Sequence, residues 1–189
     1  MASAQGIYFY DQQSAPNPSF AAGASGIQTS SPVGQSFTPT LASIDFVNFA
    51  FFDAVLGNDV GATVYVNLHS TGMGGPILAA TTPVFMPDNF GWNTSNNGEN
   101  IFMFPTTVAL QPGTTYYFEV VVQAGDLWAI RGTELPYNGG TAFLNGLPAT
   151  GDFYFREGIM VPEPTAYSLV ILGMGVFWLL RRHKNPSKC

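Results

Sequence analysis

The stretch ATVYVNLH, Ala62 to His69, alternates without a break: Ala62, Val64, Val66 and Leu68 share one face, and Thr63, Tyr65, Asn67 and His69 the other. A period of two belongs to a strand with one buried and one wet side. Downstream, TYYFEVVVQ (Thr115 to Gln123) is β-branched and aromatic and places Tyr116, Phe118, Val120 and Val122 together. Gln111-Pro112-Gly113 just before it suits a type II turn, so Ile101 to Val108 is expected to be its pairing arm. Upstream, IDFVNFAFF (Ile44 to Phe52) is apolar on both faces and reads as a central strand. Shorter candidates are Ile7 to Tyr10, Gly34 to Phe37, Ile77 to Thr82, Leu127 to Arg131, Thr141 to Leu144 and Asp152 to Arg156. Strand-length runs bounded by Gly, Pro, Asn and Asp, with no amphipathic helix among them, predict an all-β, jelly-roll-like β-sandwich followed by a single C-terminal transmembrane helix.

Composition agrees. The 189 residues include 21 Gly and 14 Pro beside 14% aromatics, and only 10% are charged. That mixture is too aromatic for a disordered chain and too poor in charge for a helical bundle. With six basic residues and a net charge of -6, the chain lacks the basic surface that nucleic acid requires. The charges are also segregated. Up to Glu163 two bases, Arg131 and Arg156, stand against all twelve acids, a balance of -10. Four bases follow residue 180 with no acid among them: Arg181, Arg182, Lys184 and Lys188.

Between these regions Thr165 to Leu180 (TAYSLVILGMGVFWLL) carries no charge and is apolar all round, unlike the one-sided stripe of a core helix. As a helix it is about 24 Å long, a little short of a bilayer's ~30 Å core, and Arg181 and Arg182 can snorkel at its end. A basic block directly after an apolar span is the positive-inside signal. The expected topology puts residues 165–180 in the lipid bilayer, the tail in the cytoplasm and the acidic body outside.

Val161-Pro162-Glu163-Pro164, then the apolar span, then Arg181-Arg182 resembles the tripartite C-terminal sorting signal called PEP-CTERM. The likeness covers about the last 29 of 189 residues. It implies export in a Gram-negative bacterium, retention in the inner membrane by the helix, and recognition by exosortase, an integral-membrane transpeptidase-like protease. Processing would then release the body or pass it to the cell surface, in a setting of exopolysaccharide and biofilm. On this resemblance Pro162, Glu163 and Pro164 are the recognition motif, and Arg181, Arg182 and Lys184 the basic stop. Two prolines around Glu163 keep the peptide extended, a form that a protease cleft can bind. Gln35-Ser36-Phe37, Gly75 to Ala79 and Leu110 to Tyr117 are similar to exported bacterial β-sandwich modules found ahead of such anchors. The expected organisation is an N-terminal segment (1–33) with one short strand, a β-sandwich (34–159), the sorting signal (160–184) and a short tail (185–189). Residues 1–20 hold no apolar leader, while Ala2-Ser3-Ala4 before Gln5 resembles the end of a leader cleavage site, so the chain reads as starting near a mature N-terminus.

Catalytic signatures are absent from the sequence. It contains no nucleophile elbow, His-Glu-x-x-His, phosphate-binding loop or dinucleotide fingerprint, and the expectation is a protein that is not an enzyme and needs no cofactor. His69 is the body's one histidine, expected on a wet strand face, and the lone Cys189 is the last residue, so neither a zinc site nor an internal disulfide is expected. Asp53, Asp59 and Asp88-Asn89 mark oxygen-rich loops that read as solvated turns in preference to a calcium site. Asp152 and Glu157 are the carboxylates a glycosidase would need as a pair, but no pairing is legible from their spacing. Trp92, Trp128 and Tyr137 are the candidates for stacking on a sugar ring, set in or near Gly/Asn-rich loops. A carbohydrate-binding module is therefore the leading alternative to a sorted surface protein, and an uncleaved, membrane-tethered envelope protein a further one.

Overall fold

The computed structural model describes residues 6–92 and 97–162. In chain order the strands are β1 (Ile7–Gln13), β2 (Ala21–Gly26), β3 (Val33–Phe37), β4 (Ser43–Asp53), β5 (Ala62–His69), β6 (Ile77–Ala80) and β7 (Val84–Met86). They continue with β8 (Glu99–Ala109), β9 (Tyr116–Gly125), β10 (Trp128–Thr133), β11 (Ala142–Leu144), β12 (Leu147–Pro148), β13 (Asp152–Phe153) and β14 (Phe155–Val161). The body is the compact unit Phe9–Ile159. Outside it, residues 6–8 and 160–162 are described, as the outer parts of β1 and β14 with one flanking residue each.

Two antiparallel sheets make the body, as the alternating patterns require. One has the order β1-β14-β4-β10-β13, with β8 on β4 and β2 on β10. The other has the order β12-β11-β3-β9-β5-β6, with β7 on β5. Apolar runs became the central strands: β4 pairs with β8, β14 and β10, and β9 lies between β3 and β5. Between the sheets Phe37 stacks on Phe118 at 4.2 Å with the rings nearly parallel. Phe49, from the opposite sheet, meets Phe118 edge-on at 5.9 Å, and Phe155 closes the group at 6.3 Å. The separations of Phe49 and Phe155 from Phe118 lie in the range where aromatic pairs add to the gain from burial itself.

The Pro-Gly turn has the expected form and a different consequence. Thr114 N–H donates to the Gln111 carbonyl at 3.1 Å, and Gly113 sits at φ 78°, the left-handed position of a type II turn. The arms do not pair. β8 joins β4 in one sheet and β9 joins β3 and β5 in the other, so the turn carries the chain across the sandwich. A turn sets direction over four residues, whereas the partner is chosen by which apolar face finds cover.

The N-terminal segment contributes two strands where the sequence suggests one. β2 (AAGASG) has no β-propensity to announce it and forms because β10 offers an unpaired edge, Ala129↔Gly26 to Thr133↔Ala21. A second, smaller core of Ala15, Ala50 and Tyr154 lies under this segment. Pro162 is exposed. Glu163, Pro164, the span 165–180 and Arg181, Arg182 and Lys184 lie outside the described residues, among which no helix is long and apolar enough to cross a membrane.

Replacing Phe118 with Ala should remove the ring shared by both sheets and destabilise the protein by about 3–5 kcal/mol in urea unfolding. A loss below about 1 kcal/mol would contradict the core assignment.

Candidate functional site

Trp92 is held in a loop built by local hydrogen bonding. Phe90 N–H donates to the Pro87 carbonyl at 3.2 Å, and the Asn89 N–H to Asp53 Oδ2 at 2.9 Å. Gly91 turns the chain at φ 82°, and a Cβ there would lie 2.1 Å from the Phe51 carbonyl oxygen, so only glycine fits. The Trp92 indole N–H then donates to the Asp53 carbonyl at 2.6 Å. Its ring stands edge-on to Phe52 at 5.0 Å and is 50% exposed. Arg131, from β10, lies 4.7 Å over the same Phe52 ring and donates from Nη2 to the Gly91 carbonyl at 3.0 Å. Its buried Nε has no hydrogen-bond partner, and among the described residues no carboxylate pairs with it. Burial without a counter-charge holds the guanidinium below its ordinary pKa. The assembly is an exposed indole fixed at its nitrogen, backed by Phe52 and flanked by a cation.

The other two stacking candidates do not join it. Trp128 is fully enclosed, with its ring 5.9 Å from Phe90 and its N–H donated to Asp126 Oδ1 at 2.9 Å, so it offers no face to a ligand. Tyr137 is half-buried edge-on to Phe155 at 5.0 Å, and its hydroxyl donates to Gln12 Oε1 at 3.0 Å. Burial, reinforced by nearby carboxylates, pushes its phenol up to about 12, which keeps it neutral. Both rings face inward because the sandwich has more interior to fill than the sequence pattern reveals.

His69 also departs from expectation. It is 3% exposed, with Nδ1 2.8 Å from the Gly75 carbonyl and Nε2 3.0 Å from Glu119 Oε2. Asn67 Nδ2 donates to the same Glu119 oxygen at 2.9 Å. The loop after β5 folds back over the face expected to be wet, and the polar residues there satisfy one another.

Asp53 and Asp88 serve as loop anchors. Asp53 accepts N–H groups of Val55 and Asn89, and Asp88 those of Gly57 and Asp59. Among the described residues no three His, Cys, Asp or Glu side chains are disposed to hold a metal ion. Glu99 Oε1 accepts from Arg156 Nη2 at 2.5 Å, Arg156 Nε at 3.0 Å, Tyr154 hydroxyl at 2.7 Å and Asn48 Nδ2 at 3.1 Å, a network that locks β4, β8 and β14. The contact of Arg131 with Phe52 was not legible in the sequence; the one available signal was that Arg131 and Arg156 are the body's only bases.

Asp152 and Glu157 are engaged separately. Asp152 accepts from Gln35 Nε2 and the Tyr137 N–H, both at 2.9 Å. Glu157 has no solvent exposure and accepts one bond, from the Gln12 N–H at 3.1 Å. Burial first, then the charge of Asp11, pushes its carboxyl up to about 9. Asp11 stays below the ordinary carboxylate value. Its partial burial raises it, but donation from the Thr40 hydroxyl and the N–H groups of Leu41 and Thr40 outweighs that. Two carboxyls pushed apart in this way can mark an acid–base pair. Here the protonated member is sealed from solvent.

The sequence matches no protein-family model, and no curated protein resembles it at a level that carries an argument.

The buried proton has a measurable consequence. Because Glu157 holds its proton up to about 9 when folded but only to about 4.5 when unfolded, stability is full below 4.5 and falls as pH rises through the folded value. Glu157→Gln should flatten that decline and stabilise the protein in neutral and alkaline buffer, as read from urea midpoints across the pH series. Parallel wild-type and variant curves would disprove the buried proton.

Proposed function

We propose that the chain is an exported, non-enzymatic surface or matrix protein: a jelly-roll-like β-sandwich delivered by a PEP-CTERM signal and processed by exosortase. The observation that carries this reading is the order Pro162-Glu163-Pro164, uncharged residues 165–180, Arg181-Arg182, with the last described strand ending at Val161. A cut within the motif would leave every described strand, and the aromatic layer between the sheets, on the released side. The chain's crossing between the sheets from β3 to β4, β4 to β5, β8 to β9 and β9 to β10 supports the jelly-roll description. In this reading residues 165–180 hold the precursor in the inner membrane with the body outside, and the processed body reaches the cell surface or the polysaccharide matrix.

Mass spectrometry of the exported product should find its C-terminus between Pro162 and Pro164. Peptides containing Trp178 in the mature product would overturn processing and favour a permanent tether. The double substitution Arg181→Glu, Arg182→Glu should disturb membrane topology, and an unaltered protease-protection pattern would contradict the positive-inside argument.

A second reading, carbohydrate binding, is favoured by Trp92, whose indole is presented to solvent on a rigid support. A pyranose stacks its C–H face on such a ring while hydroxyls seek neighbouring polar groups. Trp92→Ala should weaken retention on matrix polysaccharide by about tenfold, the factor that 1.4 kcal/mol produces. Retention equal to wild type would remove Trp92 from any binding role.

A further inference from the structure

A pocket of about 220 Å³ lies where β2 and β10 meet β11, β13 and the turn after β12. Residue size explains it. Along β10, Trp128 and Ile130 are buried in the core, and past a register shift at Arg131/Gly132 the strand continues with Gly132. A Cβ there would lie 2.8 Å from the Ala22 carbonyl oxygen, so that the strands approach closely with no side chain between them. Ala22, Ala142 and Ala149 contribute single methyl groups to the same walls. Elsewhere in the sandwich the inter-sheet layer is filled with phenylalanine. Interiors pack with few voids larger than a water molecule, so an opening of this size reflects a run of small residues at one end of the sandwich.

The walls also carry polar chemistry. Asp152 lines the pocket with its carboxylate fixed by Gln35 and the Tyr137 N–H, which leaves each oxygen a further lone pair. Thr133 Oγ1 accepts the Leu135 N–H at 3.1 Å and keeps its own proton to donate. The hydroxyls of Ser25 and Thr150 have no protein partner among the described residues. No Lys, Arg or His lines the space, so an anion would meet Asp152 with nothing to compensate it. The volume is below the roughly 300–1,000 Å³ of drug-sized sites and suits a single ring. Hydroxyls and a carboxylate set around methyl and methylene surface match an amphipathic ring whose edge is hydroxylated and whose faces are C–H.

We propose that this pocket binds one neutral saccharide residue. The inference shares the sugar chemistry of the Trp92 reading and rests on a different site, so the two can fail separately. Saturation-transfer NMR of the full chain in lipid nanodiscs would use methyl glycosides of glucose, galactose, mannose and N-acetylglucosamine, with methyl glucuronoside as the anionic comparison. Transfer to at least one neutral glycoside is expected. Thr150→Leu and Ala24→Leu, both at exposed positions lining the pocket, should plug it and weaken binding at least tenfold with an unchanged thermal midpoint. The proposal is overturned by absence of transfer to every neutral glycoside, by undiminished transfer in both plugged variants, or by the glucuronoside binding as well as the neutral sugars. Loss in Trp92→Ala with retention in the plugged variants also overturns it and assigns the sugar to the indole.

Discussion

Phe118 is touched by rings from both sheets: Phe37 lies flat against it from the neighbouring strand, and Phe49 and Phe155 approach from across the interior. The remaining architecture depends on that contact. Each sheet is hydrophobic on one face and must bury it, and the aromatic layer is where the two faces meet. β4 and β9 became central because they carry the largest inward side chains. The edges then fell to strands with a single partner, β6, β7 and β12 on one sheet and β1, β2, β8 and β13 on the other.

Polar groups were accommodated around that layer by mutual satisfaction. Glu99 gathers Arg156, Tyr154 and Asn48 on the outer face of one sheet, while Glu119 gathers His69 and Asn67 on the other. A chain with so few charges uses most of them structurally, since a buried polar group without a partner costs about 1–3 kcal/mol. Arg131 is the exception among the body's cations. It lies on Phe52 beside Trp92, answered by one backbone carbonyl. Its buried Nε, like Asn48 Oδ1 and Glu157 Oε2, has no hydrogen-bond partner.

In the proposed reading the Pro-Glu-Pro motif, the uncharged span and the basic end would set a destination, and the sandwich would be the part delivered there. Its two surface features, an exposed indole and a small-residue pocket, are both suited to weak contact with neutral polymer. Weak single contacts become useful when many copies stand on one surface, because linked sites raise the effective concentration.

Much of the fold was legible in the sequence for a physical reason: strand patterning is local, and β5 and β9 display it as alternation within eight to ten residues, β4 as a run apolar on both faces. The type II turn was legible because Pro112 fixes its own φ and Gly113 admits the positive φ that the turn requires. Pairing partners were not, since β8 chose β4 over its turn-mate through contacts distant in sequence. β2 was invisible, being a strand made by its neighbour's free edge and not by its own Ala, Gly and Ser. For the site, the sequence determined that Trp92, Trp128 and Tyr137 were the rings to consider, and only packing decided that Trp128 is sealed, Tyr137 half-covered and Trp92 open. The same holds for the pocket: Gly132, Ala22 and Ala149 are unremarkable singly, and they line a cavity only because the two sheets bring these small residues to one place.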